Sequence, residues 1–165
     1  MTRSMAQLPT AAEDFRHLMS SWATGVAVVT CSKGAKPAGC TVNALTSVSL
    51  HPPRLLISLA EGSRTLAAIV HGARFGLNVL SSPGGELAAR FSRGTDQERF
   101  AGTRYAWVLG VPLLDDVVTS AVCVVDRYVT VADHVLVIAE PVWWRHRADR
   151  GPAICFRRSY WTVSA

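Results

Sequence analysis

Apolar and polar residues follow one another along this chain in the pattern of a protein built mainly from β-strands. The segment VAVVTC, residues 26–31, is rich in β-branched residues and is typical of a buried strand. Further strands are predicted over residues 39–45 and 48–59, although His51-Pro52-Pro53 interrupts pairing in the second, because proline has no amide hydrogen to donate. The segment RFGLNVL, residues 74–80, predicts another strand.

The second half of the chain is richer still in strands. Two long apolar runs within residues 120–144 are joined around residues 130–133, the pattern of an antiparallel pair, and residues 152–163 predict a closing strand. About six or seven strands without regular alternation of strand and helix favour a mainly β fold, an antiparallel barrel with a few short helices. The whole chain, residues 1–165, is expected to form a single domain.

Short helices are predicted between the strands, and the first has an amphipathic pattern. Thr10 and Glu13 have the spacing of a capping box, and Gly25 is placed to end the helix. Its apolar side chains recur at i, i+3, i+4 and i+7 and are Phe15, Leu18, Met19 and Trp22. This face is expected to join the core, with a lid over a site as the alternative, and residues 1–9 to form a loose leader. The other helices are predicted within residues 61–72, 84–92 and 97–102.

Composition and charge narrow the classes of function. Hydrophobic residues make up 49% of the chain and the mean hydropathy is +0.21, which favours a globular fold whose apolar surface is partly covered by a second subunit. The 17 lysines and arginines outnumber the 12 aspartates and glutamates, giving a net charge of +5. These cations are dispersed, so they favour an anionic small ligand over a nucleic acid.

The cysteines and the apolar segments bear on location. Cys31, Cys40, Cys123 and Cys155 have neither CxxC spacing nor histidine partners, so they are expected to be reduced, buried and unreactive, and no metal site is predicted. No secretory signal precedes the first helix, and no apolar run reaches the roughly 20 residues that a membrane span needs. The sequence predicts a cytoplasmic protein without a membrane or nucleic-acid partner.

The candidate chemistry is concentrated in residues 39–59, GCTVNALTSVSLHPPRLLISL. Two otherwise apolar strands there carry hydroxyl and amide groups on Thr41, Asn43, Thr46, Ser47 and Ser49. An unpartnered buried polar group costs about 1–3 kcal/mol, so water, backbone or a bound polar ligand must satisfy them. The favoured interpretation is a flat, heteroatom-rich ligand such as an isoalloxazine ring. The alternative is a barrel strand with one face in solvent.

Two neighbouring features suggest phosphate and nucleotide contacts. Ser63, Arg64 and Thr65 stand at a predicted helix start, where free amides and the helix dipole favour a phosphate; Ser63 acting only as an N-cap is the alternative. Asp133 and His134 lie where the two long strands meet, and the carboxylate can fix the tautomer of a neutral imidazole; a structural hydrogen bond is the alternative. The sequence contains no glycine-rich fingerprint of Rossmann or P-loop proteins.

These pieces occur in an order and at a spacing that fit one known family. The most specific is GCTVNALTSVSLHPP, residues 39–53. The others are FRHLMSSWATGVAVVT (15–30), SRT (63–65), FGLNVL (75–80), LAARFS (87–92), ADH (132–134) and CFRRSY (155–160). Over nearly its full length the chain resembles the flavin reductase-like family, the short-chain NAD(P)H:flavin oxidoreductases that supply reduced flavin to two-component monooxygenases.

The resemblance implies an FMN-binding split β-barrel that works as a homodimer, binds FMN or FAD and takes hydride from NADH or NADPH. The residues that it implies along the flavin ring and ribityl chain are Thr41, Asn43, Ala44, Thr46 and Ser47, with Ser58 nearby. Ser63 and Thr65 would lie at the phosphate, and His134 with Asp133 would position the nicotinamide. Family members usually read Gly-Asp-His at this last site, where this chain has Ala132 in place of the glycine.

The implied function is NAD(P)H-dependent reduction of FMN or FAD, with the reduced flavin passing to a partner monooxygenase. One alternative is a non-catalytic flavin- or haem-binding split-barrel carrier or sensor, which the sequence supports only through Ala132. Another is a relative of the pyridoxal phosphate oxidases. The choices between FMN and FAD, between NADH and NADPH, and between Arg64 and Arg90 as the partner of the phosphate stay open.

Overall fold

A computed structural model describes residues 12–82 and 84–162 of the chain. Thr10 of the expected capping box and the expected leader over residues 1–9 lie outside these residues. The helices are α1 (Ala12–Ser20), α2 (Arg64–Gly72), α3 (Gly85–Phe91) and α4 (Asp96–Phe100). The strands are β1 (Thr24–Gly25), β2 (Ala27–Lys33), β3 (Lys36–Val42), β4 (Leu45–Leu50), β5 (Pro53–Ala60), β6 (Arg74–Leu80), β7 (Tyr105–Val108), β8 (Val111–Leu114), β9 (Val117–Val131), β10 (His134–His146), β11 (Ala153–Phe156) and β12 (Ser159–Thr162).

Seven strands form one antiparallel sheet that curls into a barrel. Hydrogen-bonded neighbours follow the order β3-β2-β6-β9-β10-β5-β4, so β3 and β4 are the two edges of the sheet. These edge strands are consecutive in the chain, and only Asn43 and Ala44 separate them. The sheet must therefore curl until its edges lie side by side, and the Ser58 amide on β5 donates to the Ala44 carbonyl at 3.1 Å. The mainly β, antiparallel class with a few short helices is confirmed.

Two hydrophobic clusters lie on opposite faces of β2, because successive strand residues point to opposite sides. The inner cluster contains Phe75 of β6, and α2 adds Leu66 and Ile69 to it. The outer cluster packs beneath α3 and α4, where the rings of Phe91 and Phe100 meet edge to face with their centroids 4.9 Å apart. Full burial of each such side chain stabilises the fold by about 1.5–3 kcal/mol.

A network of buried polar groups is centred on Asn78, in the second half of β6, and lies among these apolar side chains. The Asn78 side chain is fully buried; its Nδ2 donates to the Val28 carbonyl at 3.0 Å and to Thr30 Oγ1 at 3.1 Å, and its Oδ1 accepts from the Leu114 amide at 2.8 Å. The Thr30 hydroxyl donates in turn to the Pro112 carbonyl. The network therefore joins β2, β6 and β8 through groups that are satisfied only in this arrangement.

Several strand boundaries differ from the prediction. The strand predicted over residues 48–59 is the hairpin of β4 and β5, which turns at His51-Pro52, and Leu45 begins β4 instead of ending β3. The closing strand predicted over residues 152–163 is the hairpin of β11 and β12, which turns at Arg157 and Arg158. The φ values of these two residues are 49° and 63°, a region that residues other than glycine rarely adopt. The sequence does not predict the hairpin of β7 and β8, because a proline lies inside its second strand.

The apolar face of α1 does not join the core of this chain, so the sequence-based expectation is wrong here. The helix ends at Ser20, which leaves Trp22 beyond it, and none of its residues is buried. Phe15 and Leu18 are each 57% exposed and Trp22 is 69% exposed. Helical periodicity reveals that an apolar face exists, but it does not say whether the same chain or another covers it.

Candidate active site

The predicted ligand segment lies at the corner where the two edges of the barrel sheet meet. β3 and β4 do not pair with each other, so Asn43 and Ala44 bridge two open edges, and both residues are exposed. The Leu45 amide donates to the Asn43 carbonyl at 2.9 Å, which tightens the corner. The side chain of Asn43 and the backbone of this corner are therefore accessible to a ligand.

Residues far apart in sequence share one outer face beside this corner. Thr46 stands directly opposite Leu56, and Ala60 directly opposite His134, in antiparallel pairs whose opposed residues point to the same side. Leu56, Ser58 and Ala60 alternate along β5 and so point to that side as well. The structure thus brings Thr46, Ser58 and His134 onto a single face, the outer face of β4, β5 and β10.

Ser47 departs from this arrangement. It stands opposite Leu55 in the pairing of β4 with β5, so its side chain points to the other side of the sheet from Thr46. Both residues are exposed because β4 is an edge strand, and the Thr46 hydroxyl donates to the Ser47 carbonyl at 3.3 Å. A contact between Ser47 and a ligand on the outer face would therefore come from its backbone.

Thr41 has a structural partner that the sequence does not reveal. Its Oγ1 donates to the Ala88 carbonyl of α3 at 2.6 Å, which ties β3 to that helix. A hydroxyl has one proton, so this oxygen can only accept a further hydrogen bond. The flavin contact predicted for Thr41 is thereby restricted to a donor on the ligand.

The expected phosphate seat at the start of α2 is partly occupied by the protein itself. Ser63 is the N-cap of α2, and its hydroxyl accepts from the Leu66 amide at 3.4 Å. Thr65 is only 1% exposed and lies beside the thiol of Cys40, whose pKa is raised by burial and lowered less strongly by the Thr65 hydroxyl. Neighbouring residues at the start of a helix point in different directions, and Thr65 points into the protein. The predicted phosphate contact of Thr65 therefore does not fit its burial in this chain.

Two arginines are the possible partners of a phosphate. Arg64 follows the N-cap directly, and its Nη2 donates to the Gly94 carbonyl at 2.7 Å. Arg90 on α3 donates to the Ala101 carbonyl at 3.1 Å and to Thr103 Oγ1 at 3.3 Å. Arg64 is the one that adjoins the expected seat, and a guanidinium has five N–H groups, so it keeps donors for a ligand.

Asp133 and His134 form the hydrogen-bonded pair that the sequence suggests. His134 Nδ1 lies 2.9 Å from Asp133 Oδ1, and both side chains are exposed. The hydrogen bond with His134 holds the pKa of Asp133 below its usual range, so the pair persists at neutral pH and is lost only as the pH falls through that lowered pKa. The Glu61 amide donates to the Asp133 carbonyl at 3.0 Å, which holds this turn beside the start of α2.

Ala132 keeps the turn conformation that a glycine would give. Its φ is 51°, in the left-handed region that glycine enters freely and other residues enter at a cost. The turn between β9 and β10 consists of only Ala132 and Asp133. The alanine therefore strains the backbone of this two-residue turn, while His134 still pairs with Val131 across the hairpin.

Replacing Ala132 with glycine is expected to stabilise the protein. The left-handed conformation strains a residue with a Cβ by about 1–2 kcal/mol, and glycine's greater freedom in the unfolded chain offsets about 0.5–1 kcal/mol of that gain. We expect the free energy of unfolding in urea to rise by up to about 1 kcal/mol. The β-branched Ala132→Val is the control and should lower it; equal stability of all three proteins would contradict the strain.

Two of the four cysteines are buried thiols that are held in the protonated form. Burial raises the pKa of Cys31 and of Cys123 to about 12, and both are free thiols. The expectation of reduced and buried cysteines therefore fits these two; Cys40 and Cys155 are free but only partly buried.

Among the described residues no group of three or more histidine, cysteine, aspartate or glutamate side chains is arranged to hold a metal ion. Within that same part of the chain, no helix has the length and apolar character needed to cross a bilayer.

Comparison with known proteins defines the class. Residues 19–164 match the flavin reductase like domain, so the chain belongs to that family. A flavin reductase (NADPH) of Lentzea aerocolonigenes is 44% identical over 133 residues, covering 78% of this chain and 77% of the relative. A flavin reductase (NADH) of Kitasatospora aureofaciens is 36% identical over 158 residues, covering 92% of this chain and 82% of the relative.

A solved structure agrees with this assignment. The styrene monooxygenase flavin reductase of Pseudomonas putida S12 superposes with a TM-score of 0.83 at 30% identity, covering 92% of this chain and 98% of that one. The predicted family and the predicted split-barrel fold are both confirmed. The roles of the individual site residues stay predictions. The side chain of Ser47 points away from the outer face and that of Thr65 is buried, so neither side chain is placed for its predicted ligand contact.

Proposed function

We propose that this protein is an NAD(P)H:flavin oxidoreductase that reduces FMN or FAD and supplies the reduced flavin to a partner monooxygenase. The observation that carries the proposal is the outer face shared by Thr46, Ser58 and His134, which adjoins the exposed corner at Asn43 and Ala44. The names of the two flavin reductase relatives support the activity, and that of the styrene monooxygenase reductase supports the partner class.

The corner has the chemistry that an isoalloxazine ring requires. Such a ring needs hydrogen-bond partners along one edge and apolar contact elsewhere. The Asn43 amide, the Thr46 hydroxyl and the backbone of Ala44 are the polar groups at the corner. Leu56 lies on the same outer face, and Leu136 joins it because it stands opposite Ser58. The residues present therefore fit a bound flavin.

The work of the protein in this reaction is binding and alignment. A bound flavin supplies the hydride acceptor, and this transfer requires no acid–base side chain. Ser63 and Arg64 hold the flavin phosphate at the start of α2. His134 positions the nicotinamide through Nε2, because Asp133 engages its Nδ1 and so fixes the orientation of the ring.

The active form is a homodimer in which the exposed apolar face of α1 is covered by the second subunit. In the single chain Phe15, Leu18 and Met19 of that face are exposed, and so is Trp22 just beyond the end of the helix. Isolated apolar residues on a surface are ordinary, but a contiguous helical face of large ones marks an interaction site. A cyclic dimer is the commonest way in which a chain covers such a face with its own copy.

Light scattering after gel filtration tests this assembly. We expect the wild-type protein to elute at twice the 17.8 kDa of one chain. The double variant Phe15→Glu, Leu18→Glu should shift toward one chain, because two carboxylates cannot be buried in an apolar contact without partners. Val70→Glu, an exposed apolar residue of α2, is the matched control and should remain dimeric. A wild-type protein of 17.8 kDa would contradict the dimer.

Steady-state assays test the activity. The purified protein is mixed with FMN or FAD and with NADH or NADPH, and nucleotide oxidation is followed at the nicotinamide absorbance band. We expect flavin-dependent oxidation with at least one of the four combinations, and the rates also decide which flavin and which nucleotide are used. Absence of flavin-dependent oxidation in all four would overturn the proposed function.

The alternative of a non-catalytic carrier loses its support in the structure of the turn. The sequence supports it only through Ala132, which replaces the usual glycine before Asp133 and His134. Ala132 adopts a φ of 51°, the conformation that glycine would take, and the Asp133–His134 pair is formed. The protein is proposed to act as a single domain in the cytoplasm, where free thiols such as those of Cys31 and Cys123 persist.

A further inference from the structure

An open hollow of about 400 Å³ lies beside α2, outside the barrel corner. The turn after β2 forms one wall with Lys33 and Gly34. The other wall is one face of α2, whose residues recur at i, i+3, i+4 and i+7 and are Arg64, Ala67, Ala68 and His71. The opposite face of α2, including Leu66 and Ile69, is buried, so the hollow is set on a rigid element.

The lining of this hollow has the chemistry of a site for a phosphorylated heterocycle. Lys33 and Arg64 are cationic, His71 can become so, and no carboxylate is among the described residues that line it. Ala67 and Ala68 form a small apolar floor between the cations on which a flat ring can rest. From position 64 to position 71 the helix rises about 10 Å, which is comparable with the length of an adenylate group.

The hollow shares Arg64 with the expected seat of the flavin phosphate. Arg64 lines the hollow and directly follows Ser63, the N-cap of α2. FMN ends at its single phosphate, whereas FAD continues from that phosphate through a second one to adenosine. We propose that this hollow binds the adenylate half of FAD and so makes the protein prefer FAD to FMN, an inference that rests on the proposed function.

NADH and NADPH also contain an adenylate group, so the adenylate group in the hollow could belong to either the flavin or the nicotinamide nucleotide. Arg64 directly follows Ser63 at the expected seat of the flavin phosphate, and this position favours the flavin. The nicotinamide is instead expected at His134, on the turn between β9 and β10. The test therefore measures flavin binding in the absence of nucleotide, and nucleotide use separately.

Matched substitutions in the turn after β2 provide the test. Lys33 and Lys36 stand opposite each other across this turn, and Lys33 lines the hollow while Lys36 does not. Dissociation constants for FAD and FMN are measured by flavin fluorescence. For Lys33→Glu we expect the Kd of FAD to rise about tenfold and that of FMN less than about twofold, because a charge-assisted phosphate contact is replaced by repulsion. Lys36→Glu should change both values less than about twofold.

A second variant keeps the test independent of the lysines. Ala67→Glu places a carboxylate in the middle of the floor at an exposed helical position, where glutamate is well tolerated. It should weaken FAD binding as Lys33→Glu does and leave FMN binding unchanged. AMP should compete with FAD for the wild-type protein and should not compete with FMN.

The contrary outcomes are separable. Equal losses of FAD binding in Lys33→Glu and Lys36→Glu would show only a general effect of charge and would overturn the inference. A raised KM for NADH or NADPH with an unchanged Kd for FAD would assign the hollow to the nicotinamide nucleotide and overturn it as well. If the wild-type protein bound neither flavin, the proposed function itself would fail; normal FMN binding with unaltered FAD binding in both variants would refute the inference alone.

Discussion

Alanine in place of His134 is expected to raise the KM for the nicotinamide nucleotide about tenfold, because a single lost hydrogen bond to a substrate is commonly worth about that factor. The Kd of the flavin should change less than about twofold, since the imidazole is proposed to touch the nucleotide and not the flavin. Steady-state kinetics with the nucleotide varied at saturating flavin, together with flavin titration, separate the two effects. An unchanged KM would remove the role assigned to His134.

Two further variants show whether the effect comes from positioning. Asp133→Asn keeps the imidazole but removes the carboxylate that engages Nδ1 at 2.9 Å, so it should raise the KM less than His134→Ala does. His146 is the matched control: it lies at the other end of β10, roughly 40 Å away along the strand, and it also has one side-chain hydrogen bond, to Thr119 at 3.0 Å. His146→Ala should leave the KM unchanged.

Alanine in place of Asn78 is expected to cause the largest loss of stability. The buried side chain makes three hydrogen bonds between the barrel sheet and β8, at 2.8, 3.0 and 3.1 Å. Its removal leaves the Leu114 amide buried without a partner, at a cost of about 1–3 kcal/mol, and loses the side-chain hydrogen bonds to Val28 and Thr30, each worth about 1 kcal/mol. We expect the free energy of unfolding to fall by about 3–5 kcal/mol, a large part of the 5–15 kcal/mol typical of a domain. Urea unfolding at a fixed protein concentration measures it.

A double-mutant cycle with Thr30→Val identifies the network as the cause. Thr30 Oγ1 accepts from Asn78 and donates to the Pro112 carbonyl, so the two side chains share partners. The loss in the double variant should be smaller than the sum of the two single losses by about 1 kcal/mol or more. Additive losses would mean that the two residues stabilise the fold independently and that the network does not act as a unit.

The sequence predicts those parts of the candidate site whose residues are neighbours in the chain. The corner at Asn43 and Ala44 follows from residues next to each other in the chain, and the Asp133–His134 pair likewise. The shared face of Thr46, Ser58 and His134 depends on the pairing of β5 with both β4 and β10. Pairing register is set by the whole sheet, so no local pattern could place those three side chains together.

The sequence by itself determined which segments are strands and helices in most of the chain, and the class of ligand that residues 39–59 suit. Those features depend on local periodicity and on the chemistry of neighbouring side chains, and both can be recognised in the sequence alone. Only the tertiary structure decided that Ser47 points away from the outer face, that Thr65 is buried, and that the apolar face of α1 stands in solvent. Each of these depends on what packs against a residue from elsewhere in the fold, because burial is a property of the assembled surface and not of the segment that contributes it.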